Sequence, residues 1–392
     1  MSGWHSQHYL DAGRAAGIDE VLLQRAVAAA EQTLGRPHPG PPILTLGHLG
    51  HLTGVPTGRL QSYVSREGDD PYREFTIRKR PIPGQGPRYR FIAVPEPSLL
   101  HVQTWIATEI LNHLPCHAAS TAFAPGSRLF NAAARHCGAR WMIKIDIRDF
   151  FESITEIDVY RVFRERGYQP LVAFELGRIC TRLRDKHRDP GSWVSLRRRS
   201  KHLIYMRDRT YPRTHLGVLP QGAPTSPMLA NHAVHGLDAR LTDIASEYGL
   251  TYSRYADDLT FSTKDKRFGR ARAHDVIGLI YRALVARGLS PNRAKTVIAS
   301  PGARKVVLGL LVDGPKPRLT REFRSKLRMH LHFVSDPEHG PSQHAKARGF
   351  ASVEGLRQHL LGLIAFAGQI DAVYADKCRA QMRRANWNVI LS

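Results

Sequence analysis

Two adjacent aspartates, Asp257 and Asp258, stand in the middle of a run that otherwise reads as β-strand, Leu-Thr-Tyr-Ser-Arg-Tyr-Ala-Asp-Asp-Leu-Thr-Phe-Ser from Leu250 to Ser262. Neighbouring carboxylates are costly to bury among apolar and aromatic residues unless something compensates their charge. The run is therefore expected to break into strand, tight turn and strand, with both acids exposed at the turn. A divalent cation is one group that could neutralise them; a merely polar turn is the competing reading.

A third acid comes from Trp141 to Ile154, Trp-Met-Ile-Lys-Ile-Asp-Ile-Arg-Asp-Phe-Phe-Glu-Ser-Ile. Strand alternation puts Trp141, Ile143, Ile145 and Ile147 on one face and Met142, Lys144 and Asp146 on the other. An acid near the end of an otherwise buried strand is a typical pose for a metal ligand. With Asp257 on a neighbouring strand, Asp146 would supply what a two-metal phosphoryl-transfer site requires. Magnesium suits so sparse a set, because it takes one or two carboxylates together with substrate phosphates. The third element is the loop Leu219 to Pro227. Gly222 permits close backbone approach there, and Thr225-Ser226-Pro227 opens a helix.

The rest of the chain interleaves helices and short hairpins without a repeated βαβ unit, which predicts an α+β fold. Helices are expected over Ile18–Leu34, Leu99–Leu114, Glu156–Arg166, Pro170–Arg184, Pro227–Tyr248, His274–Gly288, Leu319–Val334 and Val353–Gln369. Four prolines between Pro37 and Pro42 mark a linker. Leu44–Val64 reads as two short helices broken at Gly54-Val55-Pro56; it resembles a helix-turn-helix, but no cluster of base-reading side chains accompanies it, and a pair packed on the main domain is the favoured reading. Phe75–Arg78 and Tyr89–Val94 read as a hairpin around Pro81-Ile82-Pro83-Gly84, and Lys305–Val312 as a strand.

Charge narrows the partner. The chain's 392 residues carry a formal net charge of +23, which points to a polyanion, nucleic acid before anionic membrane. The longest apolar stretch, near Val306–Val312, falls far short of the ~20 residues that a bilayer requires. The N-terminal residues carry no signal-peptide pattern, and the four cysteines form no C-x-x-C pair, so a reducing cytoplasm is the expected location. Eleven Lys/Arg against three Asp fall between Arg182 and Arg213, including Arg197, Arg198, Arg199 and Lys201. Contact with nucleic-acid phosphates is one reading of this stretch, and a solvated basic loop is the other. In Leu319–Val334, Arg321, Arg324, Arg328 and His332 share one face and Phe323, Leu327, Leu331 and Val334 another, so that one face can pack while the basic one tracks a duplex backbone. Asn131 and His136 are further candidates for nucleic-acid contact, with a satisfied structural histidine as the alternative for His136.

Taken in this order, the three motif segments resemble those of reverse transcriptases, from about Tyr72 to the C terminus. Tyr255-Ala256-Asp257-Asp258 resembles the family's Tyr-x-Asp-Asp turn, Asp146 with Phe150-Phe151 its first catalytic strand, and Gln221-Gly222 its nucleotide-contacting loop. Within the family the chain is most similar to bacterial retron enzymes and their defence-associated relatives. Val307-Leu308-Gly309 stands where retrons favour Val-Thr-Gly, and Asn131 to His136 is one residue longer than their Asn-Ala-x-x-His.

The resemblance implies a right-hand polymerase. Its parts would be an N-terminal helical region (1–70), fingers and the start of the palm (71–140), a palm of antiparallel sheet plus helices (141–314, with a basic insertion at 182–215) and a helical thumb (315–392). It implies that Asp146, Asp257 and Asp258 hold two Mg²⁺ ions, with Mn²⁺ as a substitute. Phe151 would exclude a ribose 2′-OH. Arg90 and Lys79 would grip the incoming triphosphate, Gln221 and Gly222 would contact the nucleotide, and Lys295 would lie near the pyrophosphate. The expected activity is RNA-directed DNA synthesis on a structured non-coding RNA from dNTPs. Priming from a 2′-OH would give branched RNA–DNA (msDNA) for anti-phage defence, with an effector or toxin protein as a further partner. A defence-associated or group II intron-like enzyme with other priming is the alternative, and a catalytically idle RNA-binding scaffold the alternative of another class.

Overall fold

The computed structural model describes residues 4–78, 89–183 and 216–387. Four helices come first: α1 (Ser6–Ala15), α2 (Glu20–Leu34), α3 (Leu46–Thr53) and α4 (Thr57–Ser65). Asp19 caps α2 by accepting from the Leu22 N–H, and Gly54 ends α3 with a left-handed φ of 69°. Leu46, Leu49, Val55, Leu60 and Tyr63 of the α3–α4 pair join the main core, so the pair packs on the body of the molecule.

β1 (Tyr72–Arg78) and β2 (Tyr89–Pro95) then form an antiparallel ribbon in the register Tyr72↔Pro95 to Arg78↔Tyr89. After α5 (Pro97–Ile106), with its π-turn extension Ala107–Leu111, and α6 (Leu129–Ala134) comes the central sheet. β3 (Trp141–Arg148) lies at its middle. α7 (Glu156–Glu165), α8 (Pro170–Ile179), α9 (Ser226–Ala233) and α10 (His235–Glu247) precede β4 (Thr251–Tyr255) and β5 (Asp258–Thr263). α11 (Arg270–Ala286), β6 (Ser290–Pro291) and β7 (Val297–Ala299) follow. The strand order is β4-β5-β3-β6, with β7 also paired to β3, and every ladder is antiparallel.

The two faces of β3 divide as the alternation predicts. Ile143, Ile145 and Ile147 enter the core shared with Leu241, Ile244, Val276, Ile280 and Leu284 of α10 and α11. Met142 enters a second core on the opposite face. That second core is built from α12 (Arg321–Ser335), α13 (Gly340–Ala347), α14 (Val353–Gly368) and α15 (Ala372–Arg383). Thr320, Ser352 and Asp371 cap α12, α14 and α15 through their side chains. Among the described residues no helix is long and apolar enough to cross a membrane.

Four expected elements are corrected. The helix expected over Pro227–Tyr248 is two, α9 and α10, because Arg287 Nη2 donates to the Ala233 carbonyl at 2.8 Å and displaces the ladder bond there. The strand expected over Lys305–Val312 is a hairpin: Leu308 and Gly309 both take positive φ, 50° and 81°, and fold β8 (Val306–Val307) back on β9 (Leu310–Leu311). β9 pairs in turn with β10 (Arg318–Leu319). The helix expected to reach Arg184 ends at Ile179, and Arg182 instead makes an extended two-bond bridge with Val218. α11 begins a turn earlier than the expected His274.

Candidate active site

The register of the sheet brings the three acids together. Asp146 of β3 faces Asp258 of β5, and Asp258 also pairs with Tyr255 across the β4–β5 turn. The Ile147 N–H donates to the Asp257 carbonyl at 2.9 Å, so the turn is tied to β3 as well. Two residues, Ala256 and Asp257, make the turn, and Ala256 takes a left-handed φ of 54°. A non-glycine residue holds that conformation only where the surroundings over-determine it.

What over-determines it is Arg254, which sequence reasoning missed. Its guanidinium is fully buried and forms a two-point pair with the equally buried Asp238 of α10, at 2.8 Å from Nε and 2.6 Å from Nη2. Nη1 donates to the Ala256 carbonyl at 3.2 Å, inside the turn itself. Tyr252 adds a hydroxyl bond to Asp238 at 2.8 Å. The signal was present: Arg254 is in phase with buried Tyr252 on β4, and an arginine on a buried face needs a buried acid.

Electrostatics single out the turn. Burial first, then repulsion from Asp258 and Asp146, pushes the Asp257 carboxyl up to about 6. Burial also raises Asp258, opposed by Lys144 and Lys295. Asp146 is engaged differently: Lys295 Nζ donates to both of its carboxylate oxygens at 2.9 and 2.8 Å, and Asn292 Nδ2 to one at 2.8 Å. Among the described residues no three His, Cys, Asp or Glu are gathered so as to hold a metal ion, and beside Asp146 the cation is the lysine's own. The donor set still fits a hard divalent cation. It offers only oxygen ligands, two of them on carboxyls whose ionised forms lack enough positive charge nearby.

Phe151 follows β3 and packs edge-on against buried Phe150, with ring centroids 5.7 Å apart. The Gln221 carbonyl accepts from the Ala93 N–H of β2 at 2.8 Å, which joins the ribbon to the loop. At Gly222, φ is +124°, and a Cβ would stand 2.8 Å from the Ala93 carbonyl oxygen and 2.9 Å from Ile92 Cγ2. Both strain and collision exclude a side chain there. Gly222→Ala is expected to cost about 1–3 kcal/mol and to push β2 off the loop. A lower melting temperature would show it; an unchanged one would count against the contact.

The other expected residues fall as follows. Arg90 lies exposed on β2, paired in register with Ile77. Lys79, Arg197, Arg198, Arg199, Lys201 and the Pro81–Gly84 turn lie outside the described residues. Arg182 is already paired with Asp70 and Glu74, so it is not a free charge of the basic stretch. Arg321 and Arg328 are exposed on α12, but Arg324 bonds Asp371 at 2.7 Å and lies over the Tyr374 ring. The suggestion that His136 touches nucleic acid is corrected. It is 1% exposed, and its two ring nitrogens meet the hydroxyls of Ser262 and Ser253, both at 2.7 Å. Burial drives it down to about 4, so the ring is a neutral cross-brace between β4 and β5.

Comparison with known proteins agrees with this geometry. Residues 77–323, more than half of the chain, match the family model described as reverse transcriptase (RNA-dependent DNA polymerase). The chain is 31% identical over 281 residues to the retron Ec86 reverse transcriptase of Escherichia coli, covering 71% of this chain and 74% of that protein. It is 33% identical over 272 residues to the retron Mx162 reverse transcriptase of Myxococcus xanthus, covering 67% of this chain and 52% of that protein. With the retron Mx65 reverse transcriptase of the same organism it shares 32% identity over 325 residues, covering 83% and 68%. Enzymes of this family work with divalent metal ions, an RNA template and dNTPs. An acidic turn paired to an acidic strand, on a chain with these relatives, identifies an RNA-directed DNA polymerase: the chain belongs to the reverse transcriptases, and among them to the retron type.

Proposed function

We propose that this polymerase copies a structured non-coding RNA by two-metal nucleotidyl transfer, starts from a 2′-OH of that RNA, and makes branched RNA–DNA that serves anti-phage defence. The observation that carries the chemical part is the meeting of Asp146 and Asp258 on paired strands with Asp257 in the adjoining turn. The likeness to retron reverse transcriptases supports the product. Residues 71–140, 141–314 and 315–392 would act as fingers, palm and thumb.

Divalent cations, Mg²⁺ first, supply when bound the positive charge that makes the primer hydroxyl more nucleophilic and stabilises the pyrophosphate leaving group. Asp257 and Asp258 would hold such a cation at the turn, and Asp146 would add its carboxylate if Lys295, which bonds it here, turned to the triphosphate instead. Lys295 and Arg90 then answer the negative charge of the triphosphate. Phe151 lies beneath the sugar, where its ring leaves no room for a 2′-hydroxyl. Gln221 and Gly222 bring the loop backbone against the nucleotide. Arg321 and Arg328 face the duplex from α12. Binding of RNA through many phosphates makes affinity fall steeply with salt.

The test is to purify the protein with its bound RNA, supply dNTPs and Mg²⁺, and sequence the product. The expected result is DNA joined to RNA through a junction that a 2′–5′ debranching enzyme cleaves. DNA extended only from a 3′-OH would replace the priming step with that of a defence-associated or group II intron-like enzyme. RNA binding without any DNA would leave the scaffold reading.

A further inference from the structure

Phe123 combines two costs without an apparent return. It takes a left-handed φ of 67°, which a bulky residue rarely adopts, and its ring is 40% exposed. A surface loop free to relax would shed both. This one is clamped. The Arg254 carbonyl accepts from the Thr121 N–H at 2.8 Å and from the Thr121 hydroxyl at 2.9 Å, and the Arg254 N–H donates to the Ala119 carbonyl at 2.8 Å. Asn231 Nδ2 donates to the Ala122 carbonyl at 2.9 Å, and Ser120 Oγ donates to Asn231 Oδ1 at 2.9 Å. Residues 119–122 thus lie alongside β4, one residue short of Tyr255 and the acidic turn, and Phe123 is the first residue past the clamp.

Its ring neighbours two rings of the site. The Phe123 centroid is 6.1 Å from that of Phe151 and 6.3 Å from that of Tyr255. Phe151 thus has two ring neighbours, buried Phe150 at 5.7 Å and Phe123 at 6.1 Å. An aromatic ring excludes a 2′-hydroxyl only while it cannot swing aside. Phe150 and Phe123 are two rings against which Phe151 rests.

We propose that Phe123 is the positioning residue that holds Phe151 in place, and so sets how strongly the enzyme rejects ribonucleotides. This rests on the reading of Phe151 as the residue beneath the nucleotide sugar. Phe123 does its work through Phe151, and the exposure and strain at residue 123 are the structural cost of a ring that must stand at the pocket rather than in the core.

The full chain is given an RNA template with an annealed primer, and single-nucleotide incorporation is measured with a dNTP and with the matching rNTP. The readout is the ratio of the two kcat/KM values, so a fraction of inactive protein cancels. Phe123→Ala is expected to lower the preference for dNTP by about tenfold or more. Phe151→Ala lowers it further, and the double variant matches Phe151→Ala within about twofold, because a buttress has no effect without the ring it supports. Phe123→Leu, which keeps most of the volume, falls between wild type and Phe123→Ala and carries the test if the alanine variant does not fold. Loss of preference in Phe151→Ala but not in either Phe123 variant overturns the proposal. So does a double variant whose losses multiply, which would mean direct contact between Phe123 and the nucleotide. Loss in none of them overturns instead the assignment of Phe151 on which the proposal stands.

Discussion

Asp257→Asn is expected to reduce nucleotide incorporation by at least about a thousandfold while making the metal-free protein more stable. Both effects have one origin. Burial and the neighbouring carboxylates raise Asp257 to about 6, so at pH 8 the folded protein holds it ionised against its environment. An unfolded chain ionises the same group near 3.9. The penalty is therefore fully present above pH 6, is relieved as pH falls through 6, and is gone below about 4. The isosteric amide removes it, for a gain on the order of 1–3 kcal/mol, or several degrees in melting temperature. In EDTA the variant should melt above wild type at pH 8, and the gap should narrow as pH falls toward 5. Added Mg²⁺ should raise the melting temperature of wild type and leave that of the variant nearly unchanged. Because proton and cation compete for Asp257, the Mg²⁺ concentration needed for activity should climb below pH 6. RNA binding should survive in the variant, since the carboxylate has no attraction for phosphate. Sustained polymerisation by Asp257→Asn would remove the mechanism, and an unchanged melting temperature would remove its electrostatic explanation.

That much of the site was legible because its signals are local. Strand alternation, adjacent acids and a proline-rich loop with one glycine are each read over about a dozen residues, and the face on which Asp146 sits follows from counting by two. The division of α9 from α10 was not legible, because it depends on a guanidinium from Arg287 reaching Ala233 across the fold. The β8–β9 hairpin was hidden for a different reason. Leucine at 308 is not a residue that announces a positive φ, and Gly309 alone did not outweigh the apolar run around it. Charge counts misled where they ignored partners: Arg182 and Arg324 look like free cations in sequence and are ion-paired in the fold. Lys295 could be placed near the site by resemblance, but that it occupies Asp146 itself could not.

Arg254→Met is expected to destabilise the protein by about 3–5 kcal/mol, because it leaves the Asp238 carboxylate buried without its counter-charge. If the pair served stability alone, removing both charges would repair the damage. In Arg254→Met/Asp238→Asn the amide oxygen still accepts from the Tyr252 hydroxyl, so most of the lost stability should return in urea unfolding. Incorporation should not return with it. Arg254 also donates to the Ala256 carbonyl within the acidic turn, and its backbone anchors the strand of residues that ends at Phe123. A methionine keeps the backbone bonds but not the donor, so Ala256 is free to leave its left-handed conformation and the two acids lose their fixed spacing. Arg254→Lys should show the same division from the other side. It keeps the charge opposite Asp238 but lacks the fork that reaches Asp238 and Ala256 together. A double variant that polymerises at the wild-type rate would reduce Arg254 to a stabilising residue. A stable but inactive one would establish that the geometry of the acidic turn is imposed from behind, by a buried arginine that never meets the substrate.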